Sequence, residues 1–482
     1  MDALYLLVSK TNNVLWGYVL IFLLVGTGIY LSIKMRGIQF SGIRHGLRLT
    51  RGAYEKDKDE GDLSHFQALA TALSATIGVG NIAGVAIAIS HGGPGALFWM
   101  WVTAIVGMAT KFTSCALAVK YRKINEDGTV SGGPMHFIEI GLGPKWKWLA
   151  VAFAVFAGFA TFGAGCMAQA GELARAALAL FPQLSHPVMG GEIDLGSMGV
   201  GVFVAFMVGI VIVGGIRRIG EVTSKLVPFM AAFYILAAVF IIILNIDKVP
   251  AAFYTIFSDA FTGTAAEGGF LGAGFIMALQ WGVKRGLFSN ESGQGSAPIA
   301  HATAKTRYPI SEGYVALLGP FIDTIIICTL TALVIIMTGA WTVGEGLDGA
   351  DLTAYAFRVG LGDFHAVADQ AKLGRILVTV GVILFAYSTS IAWSYYGDRC
   401  VSYLFGLKAV MPYRIIFCLM LVVGATIKID LVWEFCDVMN GMMAIPNLVA
   451  LILLSNVIWK DLVDYKKMIP EFDREAGLRK RS

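Results

Sequence analysis

Charge is scarce in this chain: 15% of its 482 residues are Asp, Glu, Lys or Arg, where a soluble protein carries about 25%. With 56% hydrophobic residues and a mean hydropathy of +0.70, the shortage excludes a soluble domain. Long charge-poor runs recur from end to end, and about 20 such residues make one helical crossing. The period-two alternation of a membrane β-barrel is absent. Cysteine is sparse as well. Cys115, Cys166, Cys328, Cys400, Cys418 and Cys436 lie in or beside apolar runs with no CxxC pair, which excludes a disulfide framework or zinc site and leaves small buried hydrophobes. There is no HExxH, GxSxG or Walker A motif, so no histidine is assigned to metal and the chain is not expected to be an enzyme. No nucleic-acid module is suggested.

What is present is an all-α polytopic membrane pattern. Eleven transmembrane helices are expected near 13–33, 67–90, 96–119, 148–180, 198–216, 226–245, 270–299, 313–340, 373–397, 413–427 and 433–459. The first run ends in Lys34 and Arg36 without a small-residue cleavage site, so it is a retained span. Loops on one side of this arrangement hold 27 Lys and Arg, and those on the other hold five, Lys10, Lys248, Arg358, Lys372 and Lys428. Retention of Lys and Arg in the cytoplasm places the N-terminus outside and the C-terminus inside, in a plasma (bacterial inner) membrane. The resulting organisation is an extra N-terminal helix (1–34), a basic cytoplasmic loop (35–66), two five-helix repeats (67–245 and 246–460) and a basic, solvated cytoplasmic tail (461–482).

Two spans are not plain hydrocarbon. The stretch "SATIGVGNIAG" (74–84) carries three glycines and Asn81 near the middle of the second span. Gly78, Gly80 and Ala83 match the dinucleotide pattern GxGxxG/A, but no preceding strand, βαβ unit or aqueous domain accompanies it. Gly80 and Gly84 could form a small-residue helix contact, which leaves Thr76 and Asn81 unexplained. The stretch "RGLFSNESGQGSAPIA" (285–300) has the same character, with Asn290 among Gly286, Gly293 and Gly295, and with Ser289, Glu291, Ser292, Gln294 and Ser296 too polar to face lipid. The two stretches open the first and sixth of the ten spans after the extra helix. Five crossings separate them, so they run in opposite directions, as in an inverted repeat. Discontinuous helices at matching positions of two halves mark the central site of a carrier, because a broken helix frees N–H groups for carboxylate and carbonyls for cations.

At these residues the chain resembles the alanine or glycine:cation symporter family, through "GVGNIAGVAIAISHGGPGALFWMW" (78–101), "RGLFSNESGQGSAPIAHA" (285–302), "FIDT" (321–324) and "STSIAWSYYGDR" (388–399). The resemblance covers residues 13 to 460. It implies a five-plus-five inverted-repeat fold of leucine-transporter type, preceded by one helix, with discontinuous first and sixth core helices, and Na⁺-driven import of a small neutral amino acid, alanine or glycine. No cofactor is expected beyond Na⁺ as coupling ion. By the same resemblance Val79 and Gly80 receive the substrate carboxylate through their N–H groups, with Thr76 and Asn81 beside the amino acid or a cation. Ser289, Asn290 and Gly293 belong to the facing wall, Gln169 faces the pocket, and Trp393 closes the side-chain end. A Na⁺ site is implied between carbonyls near Ser74 and Ile77 and the hydroxyls of Ser388, Thr389 or Ser390, hard oxygens that suit a hard cation. One departure is Cys166, where the family usually has Asn near the glutamine; it removes a polar contact expected beside Gln169.

Other intramembrane charges carry their own readings. Glu172 and Arg175 are three apart on a helix and pair. Lys284 and Arg285 bond carbonyls or a carboxylate, or form a gate; Asp323 is a proton or cation site, or a helix-tying acceptor; Glu291 locates the sixth core helix or responds to pH. The alternatives to the main reading are a proton-coupled carrier using Asp323 or Glu291, an importer of a larger neutral amino acid such as glutamine, and an ion channel.

Overall fold

Residues 8–12, 14–54, 59–126, 128–188, 193–262, 271–343, 347, 349–362, 370–427 and 429–475 are described by a computed structural model. Apolar runs without water to bond their backbone must satisfy it internally, and they do so as helices. In chain order these are α1 (Val8–Lys34), α2 (His65–Thr76), α3 (Ala83–Gly92), α4 (Ala96–Lys120), α5 (Pro144–Leu180), α6 (Leu195–Ile212) and α7 (Gly215–Leu244). They continue as α8 (Val249–Thr262), α9 (Leu271–Asn290), α10 (Ala297–His301), α11 (Pro309–Met337), α12 (Gly349–Gly360), α13 (Gln370–Phe405), α14 (Leu407–Thr426) and α15 (Ile429–Glu475).

Among the described residues nine helices are long and apolar enough to cross a membrane, and α2 with α3 makes a tenth as a pair bent by 62°. The remaining expected span, 270–299, falls on α9, the break after it and α10; Lys284 and Arg285 in α9, with Glu291 and Gln294 in the break, set it apart from the apolar spans. Two antiparallel pairings of two residues each, Lys123–Ile124 with Val130–Ser131 and Pro187–Val188 with Ile193–Asp194, add to the all-helical expectation.

The packing puts the breaks at the centre. Helix α4 lies against both α9 and α11, α2 packs on α7 and α13, and α5 on α13 and α15. Glycine permits the closest approaches: a Cβ on Gly165 of α5 would stand 2.1 Å from Trp393 Cβ, and one on Gly286 2.4 Å from Thr103 Oγ1. Helix α2 is started by a capping box, Ser64 Oγ accepting from the Gln67 amide and Gln67 Oε1 from the Ser64 amide. Two π-helical segments interrupt the regular winding beside the centre, Gly163–Met167 in α5 and Phe321–Cys328 in α11; such segments often accompany functional sites.

The tail is not a solvated end up to Glu475. Helix α15 carries straight into it, with Leu462 and Tyr465 buried. Tyr465 Oη meets His45 Nε2 at 3.0 Å and accepts from Ser311 at 3.1 Å, and Tyr54 donates to Asp473 at 2.5 Å. The basic loop is likewise ordered in part, as short helices Ile38–Ser41 and Ile43–Thr50; residues 55–58 of "YEKDKDEGD" and 476–482 of the tail lie outside the described residues.

Candidate functional site

The first break is built from residues that cannot hold a helix against competing geometry. Ile77 leaves helical dihedrals at ψ 85°, and Gly78 is extended. Asn81 then supplies the missing acceptor, its Oδ1 taking the Gly78 amide at 2.8 Å, as a helix cap does. The second break follows Asn290. Glu291 is left-handed at φ +56°, and Gly293 and Gly295 follow at +88° and +92°. A non-glycine residue there costs of order 1–3 kcal/mol and persists only where surroundings hold it. Glu291 is held on both oxygens: Trp393 Nε1 donates to one at 3.0 Å and Ser296 to the other at 2.5 Å.

Between the breaks lies a cavity of about 20 Å³, little more than the space of one water. Thr76, Gly78 and Gly80 line it from the first break, Phe288, Glu291 and Gln294 from the second. Gln169 and Ala164 of α5, Thr389 and Trp393 of α13 and Asn440 of α15 complete it. Among the described residues, three amide oxygens here are buried without a hydrogen-bond partner: Gln169 Oε1, Gln294 Oε1 and Asn440 Oδ1. The amide nitrogens of the two glutamines are satisfied, by the carbonyls of Ala164 and Leu287 at 3.0 Å each. Buried acceptors left in this way lack a donor. The arrangement therefore suits a small ligand carrying N–H groups.

Of the residues expected from the sequence, Thr76, Gly80, Gln169, Thr389 and Trp393 meet at this cavity. Asn81 and Ser289 turn away from it into a buried knot around Asp323. Asn81 Nδ2 donates to Asp323 Oδ1 at 2.6 Å, and Ser289 and Thr324 donate to Oδ2 at 2.8 Å each. Asp323 thus ties three elements together. Asn290 Nδ2 donates to Thr324 at 3.2 Å, while its carbonyl accepts from the buried Lys111 at 2.8 Å. Gly293 faces α1 and α15, its carbonyl accepting from Asn447 at 2.8 Å. Val79 is buried and does not line the cavity. Asn440 and Phe288 were not singled out from sequence, and Gln294 was noted only as a polar residue inside the break, without a role in the site.

On the α13 side the expected oxygens come together in part. Ser74 donates to the Ser388 carbonyl at 2.7 Å, and its own carbonyl accepts from Thr389 at 3.1 Å and Ser388 at 3.3 Å. Thr389 also touches the second residue past Thr76, since a Cβ on Gly78 would stand 2.7 Å from its Oγ1. Ile77 is buried at the end of α2. Ser390 bonds back to the Ala386 carbonyl at 3.0 Å, within its own helix. Cys166 points to the Phe417 carbonyl at 3.3 Å and does not line the cavity. Lys284 pairs with Asp437 of α15 at 2.6 Å.

A membrane bundle with two opposed helix breaks, a small polar cavity between them and hydroxyl oxygens at its side has the build of a secondary carrier. The sodium:alanine symporter family model matches residues 1–476, and the chain belongs to that family. It is 46% identical over 456 residues to the sodium/alanine symporter AgcS of Methanococcus maripaludis, covering 94% of this chain and 95% of that protein. It is 35% identical over 463 residues to the probable sodium/glutamine symporter GlnT of Bacillus subtilis, covering 96% and 90%. The crystal structure of MhsT in complex with L-phenylalanine superposes with a TM-score of 0.55 at 13% identity, covering 87% of this chain and 99% of that one, a likeness of fold.

Proposed function

We propose that this protein imports a small neutral amino acid together with Na⁺, through eleven spans arranged as one extra helix and two inverted five-helix repeats, with its N-terminus outside. The three partnerless amide oxygens of Gln169, Gln294 and Asn440 carry this reading. They match an ammonium group, while the N–H groups of Val79 and Gly80 are those left for a carboxylate, that of Gly78 being taken by Asn81. The cavity of about 20 Å³ favours alanine or glycine over a larger solute, and even these require it to widen, so binding and a change of shape are linked. A Na⁺ ion fits between the Ser74 carbonyl and the Thr389 and Ser388 hydroxyls, where those hydroxyls now donate to that carbonyl. The ion would take the place of their protons' contact. The driving force suffices: 100 mV supplies about 2.3 kcal/mol per charge, and a tenfold Na⁺ gradient adds roughly 1.4 kcal/mol. One Na⁺ can thus hold a neutral solute at a gradient of several hundredfold.

The test is uptake of labelled alanine, glycine and glutamine into proteoliposomes under clamped voltage, with Na⁺ or K⁺ outside. Na⁺-dependent alanine accumulation that rises with inside-negative voltage is expected. Asn440→Leu should raise the alanine KM by about tenfold, the ~1.4 kcal/mol of one polar contact to a charged group. Uptake indifferent to Na⁺ but following pH would replace the coupling ion by a proton. Glutamine uptake without alanine uptake would replace the substrate.

A further inference from the structure

Away from the breaks, a cavity of about 330 Å³ opens between the α6–α7 turn on one side and the end of α13 with the start of α14 on the other. Gly214 and Gly215 line it from the turn, and Tyr395, Arg399 and Arg414 line it opposite. None of these residues touches the central cavity. Two glycines let guanidinium side chains close in on the turn. A Cβ on Gly214 would stand 2.4 Å from Arg218 Cδ, and one on Gly215, at φ +67°, would stand 3.8 Å from Arg414 Nη2.

The charges around this cavity do not balance. Asp398 is taken by Arg414, whose Nη2 and Nε donate to its Oδ2 at 2.5 and 3.0 Å. Asp62 faces Arg217 at 3.4 Å, and Glu221 lies exposed on the next turn of α7. Arg399 is 7% exposed, and among the described residues no carboxylate stands within ion-pair distance of it. Its Nη1 donates to Ser131 Oγ at 3.0 Å, its Nε is buried without a partner, and its guanidinium carbon lies 5.2 Å from the Tyr395 ring centre. A guanidinium cannot shed its charge, and a buried charge without a counter-charge is costly. Two helix starts add to the deficit. Helix α7 begins behind Gly214, and the regular turns of α14 begin at Val410 behind Ala409, with no side chain capping the first amides of either. Uncapped N–H groups at a helix start favour phosphate.

We propose that this cavity binds the phosphodiester of an anionic phospholipid, with Arg399 as its counter-charge and its acyl chains over the apolar rim. The rim decides between a lipid and a free phosphate. Val213 and Met411 line the cavity and are 57% and 47% exposed, and Ile415 continues the apolar strip one turn along α14 at 58%. These side chains sit on helices that cross the membrane, where a lipid covers them and a free anion does not. The arginines decide the headgroup. A choline or ethanolamine would bring a further cation among Arg217, Arg218 and Arg414, whereas a glycerol head adds only hydroxyls. Basic pockets between membrane helices hold anionic headgroups in this way. The bound lipid joins the α6–α7 turn to α14, which the Arg414 Nη1 bond to the Val213 carbonyl at 3.2 Å already links. The site stands whatever solute the carrier moves.

The test titrates the full chain, delipidated in neutral detergent, with phosphatidylglycerol, with phosphatidylcholine of the same chains and with inorganic phosphate, and follows bound species by native mass spectrometry. One phosphatidylglycerol should bind ahead of any others, with a Kd about tenfold below that of phosphatidylcholine. Arg399→Gln should raise that Kd about tenfold, and Arg399→Lys, which keeps the charge, should lie between. Equal binding of the two lipids, or an Arg399→Gln protein that binds phosphatidylglycerol as the parent does, overturns the proposal. Inorganic phosphate held as tightly as phosphatidylglycerol makes the occupant a free anion, and overturns the lipid assignment.

Arg399 also bonds Ser131, so a second variant guards against a fault of folding. Arg218 is exposed, and its stem crosses Gly214 at the cavity wall. Arg218→Gln should raise the phosphatidylglycerol Kd about threefold and leave phosphatidylcholine binding unchanged. Arg375→Gln removes an exposed guanidinium near the other end of α13, and should bind both lipids as the parent does. If Arg218→Gln has no effect, or Arg375→Gln weakens phosphatidylglycerol as much as Arg399→Gln, the attraction is one of overall charge and the site is refuted.

Discussion

Between Thr76 and Ala83 the first broken helix turns through 62° on glycines and aliphatic residues, with Asn81 closing the turn from within. Among the described residues, outside side-chain donors reach its carbonyls at the far edge, where Thr331 and Thr353 bond those of Asn81 and Ile82 at 2.9 and 3.0 Å. The second break, Asn290 to Ala297, is held from every side. Lys111 takes the Asn290 carbonyl, Asn447 the Gly293 carbonyl, Gln294 the Leu287 carbonyl, and Trp393 a Glu291 oxygen. The difference teaches a division of labour. A break meant to offer backbone to a ligand must leave that backbone unclaimed, so its side chains are small. A break meant to hold a fixed wall uses polar side chains, which then need partners buried around them.

The comparison breaks most visibly at Lys111. Its ammonium is buried beside the Asn290 carbonyl, with Gly319 leaving room for it at 3.2 Å from a would-be Cβ. Lys111→Met removes the cation that bonds this break and leaves a bare carbonyl near Glu291 and Asp323. Losing one partner of a buried charged set costs about 3–5 kcal/mol. Transport should fall more than a hundredfold, and the melting temperature in detergent should drop with it. A variant that keeps its melting temperature and transports normally would show that the second break does not depend on its outer supports.

Gly293→Ala comes next. Its φ of +88° and a Cβ that would stand 2.5 Å from Leu24 Cδ2 make the substitution strained in any rotamer. The expected loss is about 1–3 kcal/mol of stability. Because Gly293 faces α1 and α15 instead of the cavity, the affinities for Na⁺ and alanine should stay within about twofold. Isothermal binding on protein that remains folded separates the two. A change in affinity without a loss of stability would move Gly293 into the site.

How much of this was legible in the sequence follows from what composition can say. Two interrupted spans, their spacing and the family motifs were readable, because a glycine or amide in an apolar run has few explanations. Thr76, Gly80, Gln169, Thr389 and Trp393, named from those motifs, line one cavity. The direction of a side chain was not readable. Asn81 and Ser289 sit where the pattern promised, yet both turn to Asp323, since a carboxylate behind the break competes for their hydrogen bonds. Asn440 was missed for the opposite reason. It is a lone amide in "CDVMNGMMAIP", and only the packing of α15 against α5 brings it to the cavity. The tail was read from its charge, while its helix is fixed by Tyr465, a residue that charge counting passes over.

The finest cut through the comparison lies within the first break itself. Gly78 and Gly80 are two residues apart and both line the cavity, but they look at different neighbours. A methyl on Gly78 would stand 2.7 Å from Thr389 Oγ1, and its φ of −132° admits alanine without backbone strain. A methyl on Gly80 would stand 3.4 Å from the Phe288 ring, close to ordinary contact. Gly78→Ala must therefore push the Thr389 hydroxyl off the Ser74 carbonyl. The Na⁺ concentration for half-maximal uptake should rise about tenfold, ~1.4 kcal/mol, with the alanine KM at saturating Na⁺ nearly unchanged. Gly80→Ala should do the reverse and more mildly, raising the alanine KM by about threefold, under 1 kcal/mol, and leaving Na⁺ activation alone. Uptake curves over Na⁺ and alanine for the two variants decide it. If both glycines shift the same parameter, cation and amino acid share one face of the break, and its backbone is a single site instead of two adjoining ones.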